Sequence, residues 1–213
     1  MKVSIIIPIY LGKYATAANN REEKLFRAIN SATEQTYKDI EVVCMIDTCP
    51  VALRLFQTQI DKININKVKI FELKYNKFVN NRFVFNPCLP RQAGIDIATG
   101  DVICYLDSDD YLTEDHVQKI VNNFSGNWVY FDAWLWNLKT KQWRRDNVTI
   151  SHQYKCGTCN IAHRKESKAI WRNPRYGHDD WQFIVELKKE SDGKYIGEAG
   201  YRICHWHNPK YDI

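Results

Sequence analysis

No stretch of this chain is long and apolar enough to cross a bilayer. The longest unbroken apolar run, Ile5-Ile6-Ile7-Pro8-Ile9-Tyr10-Leu11, falls far short of the ~20 residues that span the hydrocarbon core, which excludes a transmembrane helix and leaves only peripheral membrane contact open. The start lacks the charged segment, apolar middle and small-residue cleavage site of a secretory signal, since Met1-Lys2 runs straight into strand-like Val3-Ser4-Ile5; a cytoplasmic protein is expected. An even cysteine count is missing too. Cys44, Cys49, Cys88, Cys104, Cys156, Cys159 and Cys204 are seven, so free thiols are expected in place of a disulfide framework. Cys44 and Cys104 stand inside apolar runs and read as small buried hydrophobes. After the first strand there is no glycine-rich loop, only Leu11-Gly12-Lys13-Tyr14-Ala15, which argues against a nucleotidyltransferase that cradles phosphates there. Internal repeats and low-complexity tracts are absent, which excludes a repeat array.

What is present is one domain's worth of chain: 213 residues, 45% hydrophobic, with similar composition in both halves. The net charge of +5 favours an anionic partner, whether nucleotide, membrane surface or nucleic acid, without choosing among them. Lys2 to Tyr10 is β-branched without alternation, the pattern of a strand buried on both faces. Leu25, Ile29 and Ala32 stripe a helix over Arg21 to Gln35, Ile40 to Ile46 is a second buried strand ending at Asp47, and Leu53, Phe56 and Ile60 stripe a second helix. Val68 to Leu73 alternates as a third strand. Tyr75 to Pro90 shows no period and is expected to be a long loop. A helix from Pro90 to Ala98, with Gly100 as a left-handed cap, leads into a buried strand over Asp101 to Leu106. Thr113 should cap a helix running to about Phe124, then comes a strand over Trp128 to Phe131 and a polar connection through Trp143-Arg144-Arg145. A helix near Asp179 and a last strand, Tyr201 to His205, complete the order.

Two acidic clusters stand out. Asp107-Ser108-Asp109-Asp110 places three carboxylates in four residues after a buried strand, a repulsive arrangement that a cation relieves. Hard oxygen donors on a short loop suit Mg²⁺ or Mn²⁺, which keep positions open for phosphates. In open α/β sheets ligands collect beyond the carboxyl ends of the strands, where Asp47 and this cluster fall. His178-Asp179-Asp180-Trp181 opens a helix whose apolar face is Trp181, Ile184 and Leu187, so helix capping competes with chemistry there. His152, Cys156, Cys159 and His163 offer four zinc-type ligands around a C-x-x-C pair. Trp143, Arg144, Arg145, Lys155, Arg164 and Lys165 interleave aromatic and basic groups as a nucleic-acid surface would.

Val3-Ser4-Ile5-Ile6-Ile7-Pro8-Ile9-Tyr10, Ser31 to Glu41, Arg91-Gln92-Ala93-Gly94-Ile95, Ala98-Thr99-Gly100-Asp101 and Leu106-Asp107-Ser108-Asp109-Asp110 occur in this order. In that order they resemble the GT-A glycosyltransferases of family 2, and Asp179-Asp180-Trp181 resembles that family's later acidic pair. The resemblance implies a single α/β domain of GT-A (Rossmann-like) form, a mostly parallel central sheet flanked by helices, with nucleotide-sugar binding in residues 1–110 and acceptor binding in 111–213. It implies that Pro8, Tyr10 and Asp47 meet the nucleotide, although Ile46 replaces the first acid of the family's pair. It places Arg91 near the pyrophosphate, Asp107 and Ser108 at the nucleotide-sugar, and Asp109 on the metal as the DXD ligand. Asp180 would be the catalytic base with Asp179 and Trp181 supporting it and the acceptor, and His205 or His207 would complete the metal shell, His205 preferred. The implied activity is inverting transfer from a nucleotide diphosphate sugar, a UDP-sugar first, to a glycan or other hydroxyl, a nucleic acid included, with Mn²⁺ or Mg²⁺. The competing reading is a basic zinc- or nucleic-acid-binding module on an inactive fold of this type.

Overall fold

A computed structural model describes residues 1–12, 20–74, 78–79, 82–83, 87–137, 139–152, 155–172 and 179–204. Strand β1 (Val3–Ile9), helix α1 (Arg21–Thr33), strand β2 (Ile40–Asp47), helix α2 (Pro50–Gln59) and strand β3 (Val68–Leu73) form the expected βαβαβ opening. Two short antiparallel strands, β4 (Phe78–Val79) and β5 (Arg82–Phe83), follow, then helix α3 (Cys88–Ile97) and strands β6 (Val102–Tyr105) and β7 (Tyr111–Leu112). Helix α4 (His116–Asn123), strands β8 (Trp128–Asn137), β9 (Gln142–Asp146) and β10 (Ile161–Arg164), helix α5 (Asp179–Glu190) and strand β11 (Lys194–Ile203) complete the chain.

The main sheet runs β3-β2-β1-β6-β10-β8-β11-β7, with β9 on β8. The first four strands are parallel, β10 is antiparallel to both its neighbours, and β8 and β11 are parallel again. Both faces are covered. Ile5, Ile7 and Ile9 of β1 join Val42, Cys44 and Ile46 of β2 in a core under α1, α2 and α4, while Ile6, Val43 and Met45 point the other way, to α3 and α5. Successive side chains therefore meet apolar cores on opposite faces, which is why these strands show no polar alternation. Among the described residues no helix is long and apolar enough to cross a membrane.

Polar anchors fix the frame. Gln35, fully buried, donates to the Ser31 and Thr113 carbonyls at 2.8 Å each and accepts from Val117 N at 2.9 Å, tying α1 to α4. Glu41 accepts from Ser4 Oγ and Lys69 Nζ, both at 2.6 Å, and from the Thr99 amide and hydroxyl. Burial would raise its pKa, but these hydrogen bonds outweigh burial and hold it at about 2.

Several elements differ from expectation. Gly100 is not a left-handed cap. A Cβ there would press on Ser4 and the Lys2 carbonyl, so the glycine serves close approach of the chain to β1. The loop expected before Pro90 contains β4 and β5, and α3 begins at Cys88. Asp115, not Thr113, stands at the α4 N-cap, with the Thr113 hydroxyl bonded to it at 2.6 Å. The polar connection through Trp143 is strand β9, paired with β8 from Ala133 to Asn137. The last strand begins at Lys194, and register shifts around Gly197 and Gly200, both at positive φ, break the alternation that marks a strand. Trp181 is partly covered and packs against the core beside Ile184 and Leu187, and Phe183, outside the expected stripe, joins them on the buried face of α5.

Candidate active site

The carboxyl ends of β1, β2 and β6 come together beside the start of α3. There a cavity of about 360 Å³ is lined by Pro8, Tyr10, Asp47, Arg91, Asp107, Ser108, Asp109 and Asp180, together with Arg21. Residues separated by up to 172 positions in the chain thus share one cleft, and every described residue expected to touch donor, metal or acceptor proton is on its wall. Asp179 and Trp181 line an adjoining cavity, again with Asp180.

Arg91 organises the cleft. It is 6% exposed, and its guanidinium reaches Asp107 Oδ1 at 3.0 Å, Thr158 Oγ1 at 3.3 Å, Asp179 Oδ2 at 3.6 Å and Asp180 Oδ1 at 3.8 Å. Burial would lower its pKa, but Asp107, Asp180 and Asp179 outweigh it, so the cation is held charged. Trp171 supports the guanidinium from one face, 5.2 Å away, and stacks in turn on Phe183.

The acidic turn after β6 divides its labour. Asp110 is buried and accepts from Cys204 N at 2.6 Å, fastening the end of β11. Asp107 N donates to Tyr201 Oη at 3.0 Å, and Arg27 donates to the Asp109 carbonyl at 2.9 Å, so the backbone is held while the Asp107 and Asp109 carboxylates line the cavity. Hard carboxylate oxygens on the wall of a cavity are donors that a divalent ion such as Mg²⁺ would fit, since it takes one or two carboxylates and leaves other positions to phosphate and water. Among the described residues no three His, Cys, Asp or Glu side chains gather as a ready-made metal cage. His205 and His207 lie outside the described residues.

Asp180 sits where α5 begins, its side chain 35% exposed to the cavities and otherwise walled by protein. Burial pushes its pKa up to about 6; Arg91 opposes, and Asp179 and Asp107 add to the rise. Thr158 N–H donates to Asp180 Oδ2 at 3.4 Å from a turn whose Gly157 lies so close that a Cβ would stand 3.0 Å from the same oxygen.

The zinc constellation does not form. His163 is buried with both ring nitrogens engaged, one by Tyr105 Oη and one by the Arg164 carbonyl, each at 2.7 Å, and burial lowers its pKa to about 4. His152 is exposed. Burial raises the thiol pKa of Cys156 and Cys159, and all seven cysteines are free. Of the basic and aromatic residues, Arg144 and Lys155 are exposed, while the others are engaged within the fold. Arg145 is bonded to Asp132 at 2.7 Å, Lys165 to the Ala98 carbonyl, Arg164 lies over Phe124, and Trp143 packs on Trp136.

Arg21, Arg27, Thr158 and Tyr201 were not singled out by sequence. Arg21, which donates to the carbonyls of Tyr10 and Gly12, reads only as part of a charged helix face. Tyr201 reads as one more strand aromatic.

Helices on both faces of a parallel half-sheet, with antiparallel β10 between it and the later strands and an acidic cleft beyond the strand ends, make an α/β fold of the GT-A type. The chain belongs to glycosyl transferase family 2, whose family model matches residues 4–173. It is 28% identical over 201 residues to an uncharacterized glycosyltransferase of Haemophilus influenzae, covering 88% of this chain and 72% of that one. It is 30% identical over 120 residues to the amylovoran biosynthesis glycosyltransferase AmsB of Erwinia amylovora, covering 54% and 33% respectively. Crystal structures of S. aureus TarS 1–349 share the fold at 17% identity. The structure without a named ligand has a TM-score of 0.66, and those in complex with UDP-GlcNAc and with UDP each have 0.67. The match covers 95% of this chain but only 58% to 60% of the TarS chains.

Proposed function

We propose that this chain transfers a sugar, with inversion, from a nucleotide diphosphate sugar to an acceptor hydroxyl, with Asp180 as base. The observation that carries the reading is the meeting of Asp180, Arg91 and the Asp107-Ser108-Asp109 turn in one cleft with Pro8, Tyr10 and Asp47. Pro8, Tyr10 and Asp47 bind the nucleoside, Arg91 and Ser108 lie along the diphosphate, and Asp107 is held by Arg91 toward the ribose. Asp109, with His205 as its expected companion, would hold Mn²⁺ or Mg²⁺. When bound, such an ion supplies positive charge that offsets the charge building on the diphosphate as it departs. Asp180 accepts the proton of the attacking hydroxyl, and a single displacement inverts the anomeric centre. Asp179 shares Arg91 with it and so keeps the guanidinium from drawing wholly onto the base. A UDP-sugar is the first donor to test, because TarS has been crystallised with UDP-GlcNAc.

The test is a screen of nucleotide sugars for hydrolysis and transfer with Mn²⁺ or Mg²⁺, with the product anomer assigned by NMR. Asp180→Asn should lower transfer by about 10²-fold or more, and Asp109→Ala should abolish the response to added metal. Undiminished transfer by Asp180→Asn would remove that residue as the base, and a retained anomer would remove the single displacement.

A further inference from the structure

We propose that Trp171 is a positioning residue for Arg91, held by a one-way chain of hydrogen bonds through Tyr105 and His163, and that this buried relay sets how firmly Arg91 grips the donor diphosphate. The role rests on the transferase reading and adds to it residues that line neither cavity. The direction of the chain is fixed from both ends. At one end His163 Nδ1 lies 2.7 Å from the Arg164 carbonyl, which can only accept, so Nδ1 carries a proton. At the other, the Trp171 indole N–H, which can only donate, meets Tyr105 Oη at 3.0 Å. The hydroxyl proton of Tyr105 is then left to His163 Nε2, 2.7 Å away, and needs that nitrogen bare. Burial lowers the His163 pKa to about 4, so the ring is neutral and Nε2 accepts. Packing removes the freedom that remains. The buried Trp171 ring lies parallel to Phe183 with centroids 4.1 Å apart, and Tyr105 meets it edge-on at 5.5 Å. Its backbone N–H donates to Gln92 Oε1 at 3.0 Å, next to Arg91 on α3.

Arg91 needs such a support. Its Nη groups reach Asp107, Thr158, Asp179 and Asp180, whereas Nε, equally buried, has no hydrogen-bond partner among the described residues. Contacts at the Nη end alone leave the guanidinium plane free to tilt. The Trp171 ring, its centroid 5.2 Å from the guanidinium carbon, attracts the cation through its π face and adds no negative charge. A carboxylate in that place would fix the arginine more tightly but compete with the diphosphate for it. The indole restrains the cation and leaves its charge to the ligand. A core that required only volume here would be served by phenylalanine and leucine. A polar chain from β10 through β6 to one indole costs stability unless every member is paired, and its effect is to orient that ring.

The experiment uses the full chain with chelator present, so that no metal shares the diphosphate. Calorimetry gives the Kd of UDP, ADP, GDP and CDP and of their nucleosides. For the base bound best, the ratio of nucleoside Kd to diphosphate Kd reads the grip on the diphosphate, whereas a general loosening of the fold weakens both ligands alike. Tyr105→Phe keeps the ring and removes only the hydroxyl; it should lower the ratio about threefold with nucleoside affinity unchanged. Trp171→Leu should lower it about tenfold, and Trp171→Phe, which keeps an aromatic face, should restore part of the loss. With Arg91→Ala already in place, Trp171→Leu should lower the ratio no further. Tyr105→Phe decides the matter by itself should Trp171→Leu fail to fold. A ratio unchanged in Tyr105→Phe overturns the positioning role, as does equal weakening of nucleoside and diphosphate, or an effect of Trp171→Leu that persists without Arg91. Each of these leaves the donor cleft standing, because the wild type still binds a nucleoside diphosphate. A wild type that binds none of them overturns the transferase reading and this role with it.

Discussion

A carboxylate in the first turn of a helix gains from the macrodipole and ordinarily stays ionised well below neutrality. Asp180 departs from this because it is walled by protein, and burial, with Asp179 and Asp107 nearby, lifts its pKa to about 6 against the pull of Arg91. Cys156 and Cys159 also face it but stay neutral, since burial raises both thiols, and Thr158 contributes a backbone N–H. As the proposed base, Asp180 would act as the carboxylate, so protonation would switch it off. Transfer should therefore be flat above about pH 6 and fall tenfold per unit below it. Because Asp179 raises the Asp180 pKa, Asp179→Asn should move this acid limb to lower pH. A kcat/KM profile of both proteins checks the point, and a limb that stays put in Asp179→Asn would assign it to another group. The aspartates were legible in the sequence by type and position. Their coupling was not, because Arg91 lies 88 positions from Asp179 and only the fold brings them within 3.6 Å.

At the scale of elements, the parallel half could be read almost strand for strand, since a strand buried on both faces announces itself by an unbroken β-branched run. The later half resisted for specific reasons. Strand β9, Gln142-Trp143-Arg144-Arg145-Asp146, has one aromatic among polar and charged residues, and β11 is broken by two glycines, so neither carries a clean apolar signal. In the sequence, the turn from Gly157 to Asn160 stands out for its thiols, whereas in the fold it holds Asp180. Asn160 accepts from Gly157 N at 3.1 Å and donates to the Phe131 carbonyl at 2.9 Å, anchoring the turn to β8 while Thr158 N reaches Asp180. Gly157 has φ −124°, extended backbone that any residue adopts, so alanine there strains no dihedral; it crowds only the Asp180 oxygen. Gly157→Ala should leave Tm unchanged or raise it slightly while cutting kcat by about tenfold through displacement of the base. A fall in Tm matching the loss of activity would make the turn a stability element and nothing more.

Across the whole molecule, β10 divides two kinds of surface. On one side the parallel strands end in groups suited to an anion and a metal. On the other, Asp146 at the end of β9, residues 155–160 and the start of α5 form the wall beyond Asp180. Donor binding thus draws on β1, β2, β6 and α3 at once, and a ligand gripping all four ties the parallel half together. Binding to the folded state alone stabilises it by about 2.7 kcal/mol at 100 times Kd. For a chain of 213 residues that corresponds to about 5–10 °C in Tm. UDP with Mn²⁺ should produce a rise of this order, UDP with chelator a smaller one, and Asp109→Ala should reduce the first to the second, because it removes the metal's share and leaves Arg91 and the nucleoside contacts in place. Differential scanning fluorimetry over a set of nucleoside diphosphates reads this directly. No shift with any of them would mean that the cleft at the strand ends does not bind a nucleotide, however closely its residues follow the family.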